Sequence, residues 1–189
     1  MASQGPFNFS TFVDDASIGN KAWSNPANAQ TSNDSWASAY LSQPGGGTDV
    51  THYLKATGPG FTIPSDAAIV GIAFDLERQA DGVANGAQDN SVKIVKGGVI
   101  QGTELKKTGV TWPADDAYTS YGGPTELWGL SWTPADINAA NFGVAVSGKN
   151  GAAGNRTLYI DHVGKITVYY TPVVVPTVTT QAASSIGLD

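Results

Sequence analysis

The chain has 189 residues, of which 41% are hydrophobic and 14% are charged, and its formal net charge is −6. This length and apolar fraction suit one globular domain with its own core, and the negative charge gives no general electrostatic reason to bind nucleic acid or an anionic membrane. Because the chain has no cysteine, disulfides and thiolate metal sites are excluded. The 23 glycines and the low charge content favour an all-β protein with many turns over a helical enzyme.

The first ten residues, MASQGPFNFS, contain neither the basic stretch nor the apolar stretch of a secretion signal. The sequence also lacks a run of about 18 apolar residues that would predict a transmembrane helix. We therefore expect a chain that is made in the cytoplasm and leaves the cell by lysis, or that is a mature piece of a longer protein.

Strand periodicity is clearest in AIVGIAFDLER, residues 68–78, where every second side chain is large and apolar. SVKIVK, FGVAVSG and LYIDHVGKITVYY alternate in a similar way, and SWASAYLS, THYLKAT and TELWGLS do so more weakly. In the last of the stronger segments the predicted apolar row includes His162. The alternation predicts a core that contains Val70, Ile72, Phe74, Leu76, Val144, Val146, Ile166 and Val168.

Only TPADINAA predicts a helix, because Thr133 can cap it, Pro134 suits its first position and Asp136 favours the N-terminal end of the helix dipole. Short strands joined by glycine-rich loops, with one helical turn, predict a two-sheet antiparallel β-sandwich, a jelly roll, over residues 1–171. Residues 172–189 are rich in Val and Thr and contain Pro172 and Pro176. They predict an extended C-terminal arm or linker that stays out of the core.

Asp161 and His162 are adjacent and supply two of the three residue types of a hydrolytic triad. Successive side chains of a strand point to opposite faces, so the two cannot act together as neighbours. The sequence also lacks a G-x-S-x-G motif, and the few glutamates are scattered. We expect a structural, partly buried histidine and no enzymatic activity.

A metal hypothesis rests on DGVANGAQDN, which offers Asp81, Asn85, Asp89 and Asn90 within one glycine-rich loop. Carboxylate and amide oxygens are the ligands that calcium prefers, but the spacing matches no D-x-D-x-D-G pattern. A solvated hairpin loop would have the same composition. We favour that second interpretation and expect no cofactor.

The aromatic residues give the main candidate for recognition. The segment TWPADDAYTSYGG predicts a loop that exposes Trp112, Tyr118 and Tyr121 beside Asp115 and Asp116. Such a loop suits a glycan, through ring stacking and hydrogen bonds, or a neighbouring protein. Three other tryptophans are expected to pack in the core: Trp36, Trp128 and Trp132.

Several segments together resemble a module of phage and prophage virion proteins and of bacterial surface proteins. The similarity covers roughly residues 12 to 171. The module has a W-x-N-P-x-N-A loop, a G-F-x-I-P turn, a strand of the form I-x-G-I-x-(F/V)-x-(L/I)-E-R and a last strand I-x-V-x-Y. Here these motifs fall on Trp23, Asn25, Pro26, Asn28 and Ala29; on Gly60, Phe61, Ile63 and Pro64; on Ile69, Gly71, Ile72, Phe74, Leu76, Glu77 and Arg78; and on Ile166, Val168 and Tyr170.

The resemblance implies a displayed, multi-copy scaffold, and its motifs are structural. We therefore expect a non-enzymatic virion protein of a bacteriophage, such as a capsid decoration, head-fibre or tail component. Its expected partners are other virion proteins and copies of itself, with a trimer favoured, and neither nucleic acid nor a membrane is among them. The alternatives are a carbohydrate-binding or adhesin module that uses the aromatic loop, and a structural spacer of a large surface protein.

Overall fold

The computed structural model describes residues 1–42, 49–81, 86–152 and 154–173. Within them the helix α1 is Pro134–Asn138, and a 3₁₀ turn covers Pro26–Ala29. The strands are β1 (Ala2–Phe7), β2 (Thr11–Asp15), β3 (Ala37–Leu41), β4 (Tyr53–Thr57), β5 (Ala68–Ala80), β6 (Ala87–Lys96), β7 (Val99–Gln101), β8 (Ala117–Gly123), β9 (Gly143–Asn150) and β10 (Arg156–Thr171). No helix in these residues is long and apolar enough to cross a membrane.

The strands form two five-stranded antiparallel sheets. The first sheet has the order β1-β10-β5-β8, and β3 also pairs with β10; the second has the order β2-β4-β9-β6-β7. Strands β3 to β10 therefore stand as β3-β10-β5-β8 facing β4-β9-β6-β7, which is the strand order of a jelly roll. The predicted all-β sandwich with one short helix is confirmed, while most of the predicted arm, residues 174–189, lies outside the described residues.

The core lies between the sheets and draws on both. Ile72 and Phe74 of the first sheet and Val144 and Val146 of the second are all buried in one cluster. The Phe74 ring stacks on Tyr121, with 5.3 Å between ring centroids. Of the eight predicted core residues only Val70 is half-exposed, and all the others are buried.

Val70 departs from the prediction because β5 contains a β-bulge there. Gly71 pairs with Tyr169 and Ile69 pairs with Tyr170, so Val70 is the extra residue of the bulge. A bulge shifts the in-and-out alternation by one position, and Ile69 is buried in its place.

A second bulge changes the position of His162. Ile160 pairs with Arg78 and His162 pairs with Glu77, which leaves Asp161 as the extra residue. After it, Val163 joins the hydrophobic core. The prediction that His162 belongs to the apolar row of β10 is therefore wrong.

The predicted helix is present as α1, and its five residues stay within the two turns that the sequence predicted at most. Thr133 caps α1 in a reciprocal capping box with Asp136. Two predicted segments have a different structure. TELWGLS forms turns around Trp128, which has a positive φ of 58°, and part of the predicted loop 111–123 is the edge strand β8.

Candidate functional site

The segment from Thr111 to Gly123 was predicted to expose three aromatic rings, and for two of them that prediction is wrong. Trp112 is only 5% exposed and Tyr121 only 2%. The Trp112 indole donates a hydrogen bond to Oδ1 of Asp89 (2.9 Å), and the Tyr121 hydroxyl donates one to Oδ2 of the same residue (2.7 Å). Both rings therefore belong to the interior and offer no face to a ligand.

Asp89 is the centre of this buried network. Its carboxylate also pairs with the Arg78 guanidinium and accepts a hydrogen bond from the backbone N–H of Lys107 (2.9 Å). The guanidinium carbon lies 5.0 Å from the Trp112 ring centroid, a cation–π contact. Burial, and further the negative charge of Asp89, raise the pKa of Tyr121 well above its usual range although Arg78 opposes the shift. Tyr121 is thus a neutral donor.

These contacts weigh against a calcium site at the described members of the set Asp81, Asn85, Asp89 and Asn90. Both oxygens of Asp89 are already occupied, and Asp81 accepts a hydrogen bond from the backbone of Thr157. Asn90 donates to Ser147 (3.3 Å), and Asn85 lies outside the described residues. The described members of the set are bound to separate partners and do not converge.

Tyr118 is the aromatic residue of the segment that remains exposed, at 39%. The Lys165 ammonium lies 3.3 Å from its ring centroid and so covers one face of the ring. The Tyr118 hydroxyl is 3.0 Å from Nδ1 of His162. Of the two acidic residues in the segment, Asp115 is exposed and Asp116 is half-buried.

His162 is held by two neutral partners. Its Nε2 lies 3.0 Å from Oδ1 of Asn8, an acceptor, so Nε2 carries the proton and Nδ1 accepts from Tyr118. Burial lowers the pKa of His162; Glu77 opposes this shift and Lys165 adds to it. The ring is neutral near pH 7, and this arrangement suits the structural role expected for it.

Asp161 has its own, separate partners. Its Oδ2 accepts hydrogen bonds from the backbone N–H groups of Asn33 (2.9 Å) and Asp34 (3.2 Å). The carboxylates of Asp34, Asp116 and Asp161 each have an oxygen within 4.8 Å of one from each of the others. The sequence gives no signal for this cluster, because its members come from three distant segments.

The pKa of Asp116 reflects both its burial and the negative charge of its neighbour in the cluster. Burial raises its pKa, the hydrogen bond from the Trp36 indole (3.1 Å) lowers it, and the neighbouring charge of Asp161 raises it again, so that the pKa is raised on balance. Oδ1 of Asp116 and Oδ1 of Asp161 have no hydrogen-bond partner among the described residues.

A shallow groove of about 390 Å³ lies on the outer side of the first sheet, next to β8. Its lining includes Asp75, Lys165 and Tyr169. Asp75 accepts a hydrogen bond from Ser120 across the two strands (2.7 Å). The groove presents one carboxylate, one ammonium and one phenol on an open surface.

Fold and site together define a jelly-roll β-sandwich with a buried ion pair and a separate acidic cluster at one end of β8. In comparisons with protein-family models, curated proteins and solved structures, nothing matched the chain.

Proposed function

We propose that the protein is a non-enzymatic structural component of a bacteriophage particle, such as a capsid decoration, head-fibre or tail protein. The observation that carries the proposal is that the residues behind the resemblance to virion modules build the framework of this sandwich. Trp23 is buried, and its indole donates to the carbonyl of His52 (2.9 Å). Asn25 adopts the left-handed conformation that starts the 3₁₀ turn at Pro26, and Asn28 donates to the carbonyl of Trp36 (3.2 Å).

The remaining motifs have the same kind of role. Gly60 has a positive φ of 76°, a conformation that glycine adopts without strain, and it places Phe61 and Ile63 in the core. The other two motifs lie on β5 and β10, the paired central strands of the first sheet. Because these motifs contribute to folding, we infer that the module functions through its surface and its sheet edges.

Protein–protein contacts through sheet edges are the mode of action that we infer. β8 ends the first sheet, and β2 and β7 end the second. An edge strand has unpaired backbone donors and acceptors that another strand can satisfy. On β3, Tyr40 is 56% exposed and would add an aromatic anchor to such a contact.

Residues 172–189 have a sequence that suits the strand added to such a sheet edge. It is rich in Val and Thr, and Asp189 is its only charged residue. We propose that it adds to a sheet edge of a neighbouring copy, in a symmetric homo-oligomer, most simply a trimer.

The test is the mass in solution, by native mass spectrometry and light scattering, of the full chain and of a version that ends at Thr171. A matched control replaces residues 174–189 with Gly-Ser repeats of equal length. We expect an oligomer for the full chain and a monomer for both altered chains. A monomer in all three cases would contradict assembly through the arm.

The carbohydrate-binding alternative has less support, because two of its three proposed stacking rings are buried and Lys165 covers one face of the third. The same samples on a glycan array distinguish the two functions. Saturable glycan binding by a full-length chain that remains monomeric would overturn the virion proposal in favour of the alternative.

A further inference from the structure

The acidic cluster brings together three segments that are far apart in the sequence. Asp161 is the extra residue of the bulge in β10, Asp116 immediately precedes β8, and Asp34 lies in the loop before β3. Asp34 has a positive φ of 60°, and its own N–H donates to Asp161. The fold therefore brings the three carboxylates close together.

The hydrogen bonds leave one side of this cluster unsatisfied. Asp161 is only 1% exposed, and its two backbone donors both bind Oδ2, so that Oδ1 has no partner among the described residues. In Asp116 the Trp36 indole binds Oδ2, and Oδ1 again has no described partner. None of the ion pairs between described residues includes a member of the cluster.

Such an arrangement destabilises the folded chain when no ligand is bound to the carboxylates. A buried carboxylate oxygen without a donor loses its hydration and gains nothing in return. Three carboxylates held together repel one another in addition, and a cation removes both costs at once.

We propose that Asp34, Asp116 and Asp161 bind a divalent cation of the hard, oxygen-preferring class, with calcium as the ion that fits best. Calcium binds oxygen at about 2.4 Å, so two of its ligands are at most roughly 4.8 Å apart. The carboxylate oxygens of the cluster lie within 4.8 Å of one another. These separations fall within the range that the ligands of a single calcium ion span.

The donor set favours calcium over softer metals. Zinc and copper sites use imidazole or thiolate ligands, and here both ring nitrogens of the adjacent His162 are bound to Tyr118 and Asn8. Calcium accepts three carboxylates together with carbonyl oxygens and water in a flexible geometry, whereas magnesium demands a near-ideal octahedron.

A bound ion would fasten the loop before β3 and the start of β8 onto β10. Both segments lie at edges of the first sheet. Cation binding is therefore expected to stabilise the folded chain by RT ln(1 + c/Kd), where c is the concentration of free ion, so that stability rises with the logarithm of the ion concentration once the site is mostly filled.

The cluster offers a built-in spectroscopic test. Terbium(III) is a luminescent substitute for calcium, and the Trp36 indole, hydrogen-bonded to Asp116, lies close enough to sensitise it. The full chain is treated with chelator, excited at the tryptophan band and titrated with terbium. We expect emission that saturates near one equivalent and that added calcium displaces, and calcium alone should raise the midpoint of thermal unfolding.

The variant that identifies the site is Asp34→Asn. Asp34 is exposed and the substitution keeps its backbone N–H bond to Asp161, so the fold is preserved while one ligand charge is removed. Terbium and calcium affinities should fall about tenfold or more. Asp115→Asn, an exposed neighbour of Asp116 with the same change of charge, is the control and should bind as the unaltered chain does.

Two results would overturn the proposal. One is the absence of both saturable emission and a calcium-dependent midpoint in the unaltered chain, which would leave a shared proton as the way in which the carboxylates are accommodated. The other is an equal loss of affinity in Asp115→Asn and Asp34→Asn, which would mark diffuse binding to a negative surface.

Discussion

At the scale of single residues, the Arg78–Asp89 pair links the two sheets through the interior. Arg78 lies on β5 of the first sheet and Asp89 on β6 of the second, and both side chains are buried. Trp112 and Tyr121 complete the hydrogen bonds of the carboxylate. A pair of this kind adds little to stability compared with an apolar pair of the same shape, but removal of one partner leaves the other charge buried.

Asp89→Ala is expected to lower the free energy of unfolding by about 3–5 kcal/mol, because the Arg78 guanidinium loses its counter-charge. Urea unfolding followed by fluorescence measures the loss. The exposed Asp66 provides the control, since Asp66→Ala should change stability by no more than about 0.5 kcal/mol. A loss similar to that of the control would contradict the role given to the pair.

The sequence could not identify this network or the acidic cluster. Asp89 follows a glycine-rich stretch and has the composition of a solvated loop, and its partner Arg78 is supplied by the opposite sheet. In the same way Asp34, Asp116 and Asp161 follow no spacing rule, because only the strand pairing and the bulge bring them together. Local pattern carries no information about contacts of this range.

At the scale of elements, regular alternation predicted β5, β6, β9 and β10 well, since a half-buried strand must alternate. It failed where a bulge changes the alternation, at Val70 and at His162. It also failed for β8. The sequence AYTSYGG contains residues typical of turns, and it forms an edge strand because it pairs with β5. The single helix was predictable because its capping residues act locally.

The capping box of α1 makes stability depend on pH. Asp136 accepts hydrogen bonds from the N–H (2.8 Å) and hydroxyl (2.7 Å) of Thr133 and lies 3.2 Å from the Lys96 ammonium. Partial burial acts to raise the pKa of Asp136, but these contacts prevail and lower it. A carboxyl group whose pKa is lower in the folded chain stabilises the fold at pH values above its unfolded pKa of about 3.9. This contribution is lost as the pH falls through the pKa of the folded chain.

Asp136→Asn is therefore expected to be less stable than the unaltered chain at pH 7, with a difference that shrinks as the pH falls below about 4. Denaturant unfolding at a series of pH values between 7 and 3 measures it. Asp66→Asn, on an exposed residue, should have little effect at any pH. A difference for Asp136→Asn that stays constant across the series would show that the carboxylate charge is not the cause.

At the scale of the whole molecule, the chain crosses repeatedly between the sheets. β3, β5, β8 and β10 belong to the first sheet, while β4, β6, β7 and β9 belong to the second. Side chains of both sheets form one core cluster. Neither sheet can bury its apolar face without the other, so they have no means of unfolding separately.

We therefore expect a single cooperative unfolding transition for residues 1–171, although the chain is longer than most two-state domains. Phe74→Ala in the first sheet should cost about 3–5 kcal/mol, and Val146→Ala in the second should cost somewhat less because it removes fewer atoms. Each variant should shift the far-ultraviolet circular dichroism curve, which follows both sheets, and the tryptophan fluorescence curve by the same amount. If Val146→Ala moved one curve and left the other in place, the two sheets would be separate units, and the argument from alternating strands would fail.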